Sequence, residues 1–360
     1  MTKFFKLPAH WWANSLPLLA CLPLLSEPAT SDWGLLALSA IALLMAVQLA
    51  VFHAEIIAHR LGEPFGTLVL ALAITVIEVA LIISVMLGGT DPRSALARDT
   101  VFATVMIICN GVVGLCLLAG AIRHRILVFR IDGTGSALAV LTALTTLTLV
   151  LPEFTTSTAG PTYAPAQMIF AGLMALVLYA VFVFVQTIRH KDLFLNDAAG
   201  DADQTARPDN RRSLLSLLLL VISLVAVVGL AKQLAPAIER AVAFANAPPS
   251  LVGILIALLV LLPETQAALG AALRNRMQTS LNLALGSALA TIGLTIPSVV
   301  AVALWMDLPL ILGLPPKEIV LLTLTLVIST MTLASGRATL LQGAVHLVVF
   351  AAFLFLAIVP

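Results

Sequence analysis

The chain has 360 residues, 61% of them hydrophobic and only 10% charged, with a formal net charge of +1. Soluble domains carry about 25% charge, so a soluble globular domain is excluded, and the near-neutral balance offers no electrostatic footing for nucleic acid. Cys21, Cys109 and Cys116 all fall in apolar stretches, without disulfide or metal spacing, and read as small packing residues.

Apolar runs approach the roughly 20 residues that cross a bilayer and predict eleven helices, at about 11–26, 33–58, 65–88, 100–121, 136–153, 165–188, 213–234, 250–273, 280–304, 318–334 and 339–358. The first is short, carries Pro17 and Pro23, and lacks the small-residue cleavage site of a signal peptide. Residues 306–317, with Pro309, Pro315 and Pro316, read as a loop, in part re-entrant. The expected fold class is all-α integral membrane.

Residues 189–212, RHKDLFLNDAAGDADQTARPDNRR, are the longest polar stretch and read as a solvated linker. They separate a first five-helix repeat, 33–188, from a second, 213–360, and leave 1–32 as an N-terminal segment with its own helix. An odd number of helices per half sends the halves into the membrane in opposite directions, the inverted-repeat plan of many secondary transporters. With a cytoplasmic N-terminus, fourteen of the Lys and Arg residues fall on the cytoplasmic side and five (Arg93, Arg98, Lys232, Arg240 and Lys317) on the other. The positive-inside bias supports that orientation in a bacterial inner membrane, with a periplasmic C-terminus.

Glu78 is the only charge in FGTLVLALAITVIEVALIISVMLG, and Glu264 the only one in SLVGILIALLVLLPETQAALGAAL. A charge near the bilayer centre costs roughly 2.5–3.5 kcal/mol on insertion scales, which makes it functional by default. Each lies on the second helix of its half, so the repeat makes them symmetry mates. Pro263 interrupts the helix beside Glu264 and frees a backbone carbonyl there. Two such carboxylates can bind a hard cation through oxygen or take up protons, since desolvation and a like-charged neighbour both favour the neutral acid. The outcomes exclude each other, and that competition defines a cation/proton antiporter. One Ca²⁺ balances protons on two glutamates; Thr75, Ser84, Asn110, Ser287 and Thr291 could supply neutral oxygens.

Other polar residues carry plainer readings. Glu55, in HAEIIAHRLGE, is an interfacial side chain or a cytoplasmic gate; Glu63 suits a helix cap. Glu153, in VLPEF, echoes LLPET around Glu264 and suits the external rim. His346 reads as a packing histidine before a proton relay, and Lys232 with Glu239 as a surface pair. HExxH, GxSxG, Walker A and GxGxxG motifs are absent from the sequence. An intramembrane hydrolase using the carboxylates as acid and base and a passive cation channel are the competing classes.

Residues 54–82, AEIIAHRLGEPFGTLVLALAITVIEVALI, resemble the first repeat of the bacterial ChaA-type calcium/proton exchangers: an acidic residue (Glu55), R-x-G-E (Arg60 to Glu63) and a helix bearing the key glutamate (Glu78). YAVFVFVQTIRHKDLF, from Tyr179, resembles the segment before the family's central linker. LLPETQAALGAALRNRMQTSLNLALGSALATIGLTIP resembles the second signature, with Glu264, Arg274, Arg276, Gly286 and Ser287 in place, and ASGRATLLQGAVHLVVF resembles the last. The resemblance implies ten core helices in two inverted repeats plus an extra N-terminal helix. It further implies that Glu78 and Glu264 alternately hold cation and protons, with no resident cofactor. The sequence departs from the pattern where Ile74-Thr75 and Leu261-Leu262 stand near the family's Gly-Asn, where Ala288-Leu289-Ala290 stand for Ser-Thr-Gln, and at Lys232 and Gln342, where the family has acids. Each change removes oxygen ligands or negative charge. The reading is therefore export of Ca²⁺, with Na⁺ or K⁺ beside it, in exchange for protons; a monovalent antiporter with little calcium activity is the alternative. The sequence sets no oligomeric state.

Overall fold

The computed structural model describes residues 12–25, 33–61, 73, 75–83, 95–190, 193–194, 209–244, 248 and 250–359. The helices are α1 (Trp12–Ala20), α2 (Trp33–Leu61), α3 (75–83), α4 (Leu96–His124), α5 (Ile131–Phe154), α6 (Pro165–Arg189), α7 (Asn210–Phe244), α8 (Ser250–Val260), α9 (Leu262–Leu273), α10 (Met277–Trp305), α11 (Pro316–Leu333) and α12 (Leu340–Ile358). Eight of these are long and apolar enough to span a bilayer, and α8 with α9, bent by 53°, makes a ninth. Those nine match nine of the eleven predicted helices. Of the other two, 65–88 lies largely outside the described residues. The first is shorter than predicted: α1 has nine residues and passes into a 3-10 turn at Leu22–Leu25, where Pro23 cannot donate a helical hydrogen bond.

The helices form because lipid leaves no partner for a backbone amide except another residue of the same segment. Their packing inverts the soluble pattern. On α6, Ala171, Gly172 and Ala175 are buried at helical spacing, while Ile169, Phe170, Leu173, Leu176, Val177 and Val181 are exposed. Small residues let neighbouring backbones approach, and the large ones meet lipid.

The chain divides into two compact units, Met1–Gly89 with Thr205–Ala241 and Thr90–Gln204 with Val242–Pro360, so the units cut across the two halves of the sequence. In the first, α1 and its 3-10 turn pack on α2. Gln233 on α7 donates to the Pro23 carbonyl (3.1 Å) and accepts from Ser39 Oγ (3.4 Å), and Arg60 donates to Asn210.

The second unit follows the repeat. The third helix of the first half, α4, packs against the last helix of the second, α12; the third helix of the second half, α10, packs against the last of the first, α6. Loops pair at both ends. At one end β1 (Leu127–Val128) pairs antiparallel with β2 (Arg337–Ala338). At the other, Gly313 N–H donates to the Pro161 carbonyl (2.9 Å) and Leu314 N–H to Leu149 (2.9 Å). This buried connection, with Leu310, Leu312 and Leu314 almost fully enclosed, replaces the loop expected over 306–317.

Charge separates the two ends of this unit. His124 Nε2 lies 3.1 Å from the Leu273 carbonyl, and Arg130 N–H donates to Gln278 Oε1 (2.7 Å). These contacts gather Arg123, Arg125, Arg130, Arg274, Arg276 and Arg337 at the β1–β2 end. At the opposite end Arg98 binds Asp99 (2.7 Å) and the Gly313 carbonyl (2.9 Å), near Glu153 and Glu318.

Candidate cation site

Glu78 lies on α3 and is only 2% exposed, with Thr75, one turn earlier, also buried. Residues three apart share a helix face, so a carboxylate and a hydroxyl line the same side of this short apolar helix. Glu264 is placed differently. The break at Leu261 falls two residues before Pro263, and Glu264 occupies the first turn of α9. A helix N-terminus carries partial positive charge and unsatisfied N–H groups, which favour an anion there. Both Glu264 carboxylate oxygens and Glu78 Oε1 are enclosed by protein atoms. Glu78 belongs to the first unit and Glu264 to the second.

Three of the predicted neutral ligands lie in the second unit. Asn110 sits inside a π-helical turn, Ile107–Val112, in the middle of α4, and Thr291 opens a second one, Thr291–Thr295, in the middle of α10. A π turn holds one surplus residue and often marks a functional site. The two occupy equivalent third helices, and each packs on the other's helix. Ser287 is half-buried one turn before Thr291.

Asn110 does not stand alone. Its Nδ2 donates to Thr325 Oγ1 (2.8 Å), and Thr325 donates onward to the Leu321 carbonyl (2.8 Å). His346 Nδ1 lies 3.3 Å from Asn110 Oδ1, and its Nε2 3.1 Å from Thr332 Oγ1. The amide oxygen only accepts, so His346 carries its proton on Nδ1 and accepts from Thr332 at Nε2. The result is a directed chain, Thr332 to His346 to Asn110 to Thr325, fully buried. It ties the π turn of α4 to α11 and α12. Thr325→Val leaves the Asn110 amide without its acceptor. The expected cost is about 1–3 kcal/mol, read as a lowered melting temperature of the detergent-purified protein.

The remaining predicted residues are peripheral or beyond description. Glu55 on α2 and Lys232 on α7 are exposed, and Glu153 is half-buried beside Gly313. Glu239 falls within α7, but its side chain lies outside the described residues, as do Glu63 and Ser84. Gln342 caps α12 by accepting from Thr339 N–H (2.9 Å). Sequence reasoning passed over Thr325, Thr332, Asp99 and Glu318. The threonines carry no signal on an apolar helix. Asp99 and Glu318 line a small cavity of about 20 Å³ with Lys317 at the acidic end, room for one water. Among the described residues no three His, Cys, Asp or Glu side chains converge to hold a metal.

A helical membrane protein with paired loops at both ends and a carboxylate on a broken span has the build of a secondary transporter rather than an enzyme. The sodium/calcium exchanger protein family model matches residues 31–188 and 215–359. The chain is 45% identical over 353 residues to y4hA of Sinorhizobium fredii, described as an ionic transporter, covering 97% of this chain and 96% of that one. It is 35% identical to the sodium-potassium/proton antiporter ChaA of Escherichia coli, covering 88% and 87%. Among solved structures it resembles native YfkE (TM-score 0.70, 15% identity, 97% of this chain and 98% of that one) and the H⁺/Ca²⁺ exchanger CAX (TM-score 0.68, 15% identity, 95% and 86%). The chain belongs to the sodium/calcium exchanger protein family.

Proposed function

We propose that the protein is a cation/proton antiporter in which Glu78 and Glu264 alternately hold the cation and protons. The observation that carries the reading is one carboxylate per half on an otherwise uncharged apolar helix, Glu78 buried and Glu264 in the first turn after a break in its span. Oxygen ligands favour a hard cation. Two carboxylates match one Ca²⁺ or two protons, so Ca²⁺ export driven by inward proton flow is the primary reaction. Thr75, Ser287 and Thr291 add neutral oxygens, and Asn110 serves through its buried chain.

A second reading, a Na⁺ or K⁺/proton antiporter with little calcium activity, is favoured by the missing Gly-Asn oxygens and by the name of the 35% identical relative. The basic end of the second unit fits the cytoplasmic side of a bacterial plasma membrane. The C-terminus of α12 then lies on the periplasmic side.

Everted vesicles with an imposed proton gradient test both readings. Added Ca²⁺ should collapse the gradient, Na⁺ and K⁺ should do so more weakly, and Mg²⁺, which sheds water reluctantly, should not. Collapse by Na⁺ and K⁺ with none by Ca²⁺ selects the second reading. Cation flux that ignores the pH gradient overturns both.

A further inference from the structure

The basic end of the second unit holds a pocket that cation exchange does not use. Its volume is about 550 Å³, and it opens where β1–β2 meets the first turn of α5. Arg130, Arg337, Ser335 and Asp132 supply its polar lining, with Leu193 beside them. Two guanidiniums face a single carboxylate, and Arg123, Arg125, Arg274 and Arg276 stand on the same face, so the local field is positive.

The rim is apolar. In the ladder Val128 stands opposite Arg337, and cross-strand partners carry their side chains about 4.5–5.5 Å apart on one face. Val128 is 67% exposed, Ile126 58% and Ile131 47%. At the ends of membrane spans such side chains sit where acyl chains begin. A ligand suited to this pocket carries a phosphate at its head and hydrocarbon just below it.

We propose that the pocket binds the headgroup of an anionic phospholipid, its phosphate held by Arg130 and Arg337 and its upper acyl chains lying on Val128 and Ile131. Arg forks recognise phosphate oxygens in pairs, and basic pockets at the cytoplasmic ends of spans are suited to such headgroups. Asp132 repels a second phosphate and limits the pocket to one lipid. The proposal requires the membrane but not the exchange reaction, so it stands or falls separately from the function proposed above.

Native mass spectrometry of the full-length protein, titrated with dioleoyl phosphatidylglycerol or dioleoyl phosphatidylethanolamine, tests it. The anionic lipid should bind at least about tenfold more tightly, the sum of two arginines near a phosphate. Arg130→Gln with Arg337→Gln should erase that preference. Arg189→Gln, outside the pocket lining, should leave it within about twofold. Millimolar inorganic phosphate should not displace the lipid. Equal binding of the two lipids, an undiminished preference in the double variant, an equal loss in Arg189→Gln, or displacement by phosphate overturns the proposal. If the double variant fails to fold, Arg337→Gln alone, at an exposed position, should cost about threefold or more, and no loss there overturns it as well.

Discussion

Glu264→Gln and Glu78→Gln, each made alone, are expected to abolish cation-induced collapse of a proton gradient. Glutamine keeps the size and one oxygen of glutamate but carries neither charge nor exchangeable proton. With one site neutralised, a bound Ca²⁺ loses half of its compensating charge. A charge-assisted contact is worth roughly 1.5–3 kcal/mol, and about 3 kcal/mol is more than a hundredfold in affinity. Coupling suffers as well, because a position that cannot exchange a proton cannot return one across the membrane. Fluorescence quenching in everted vesicles reads both effects, and expression and melting temperature separate them from misfolding. Full activity in both variants would exclude the carboxylate pair. Activity lost in Glu264→Gln but kept in Glu78→Gln would place the chemistry on the broken helix alone.

Gly343→Ala is expected to be the most damaging single-methyl change in the second unit. A Cβ at Gly343 would stand 2.5 Å from Leu118 N and 3.0 Å from the Gly114 carbonyl, and one at Gly114 would stand 2.9 Å from His346 Cβ. The two glycines form the seam on which α4 and α12 cross. Backbone atoms cannot rotate aside as a flexible side chain can, so the helices must part. Overpacking of this kind costs about 1–3 kcal/mol, and separation would also stretch the 3.3 Å contact between His346 and Asn110. The expected result is a clear fall in melting temperature in detergent. Gly270→Ala on α9, with nothing within 4 Å of the added methyl, should be neutral or slightly stabilising, since Ala is the better helix former. Equal melting temperatures for Gly343→Ala and the wild type would refute the seam.

Most of the membrane architecture was legible in the sequence, because unbroken apolar runs have one stable form in lipid. Nine spans stand close to their predicted positions, and Pro263 announced the break before Glu264. The same reasoning overextended the first helix, where Pro23 weighed more than hydrophobicity. What stayed hidden was whatever depends on distant partners. Asn110 looked like a candidate ligand, but nothing near it in sequence points to Thr325, 215 residues away. The two-residue strands β1 and β2 are too short for a periodic signal. IICNGV and TIGLT read as ordinary helix, and no residue type marks either as a π turn.

Those π turns constrain the length of the chain inside the membrane. Each residue of a helix advances it by about 100°. The surplus residue in Ile107–Val112 therefore sets the azimuth of everything that follows on α4. Thr100, ahead of the turn, meets Gly253, while Gly114 and Gly120, behind it, meet α12 and Ala272. Deleting one residue from the turn would relax it to a regular helix and swing the second group of contacts away from their partners while sparing the first. Loops in this chain can absorb insertions and deletions, whereas mid-helix α4 cannot. Aligned relatives should accordingly keep the residue count between Thr100 and Gly114 fixed even where the residues themselves differ.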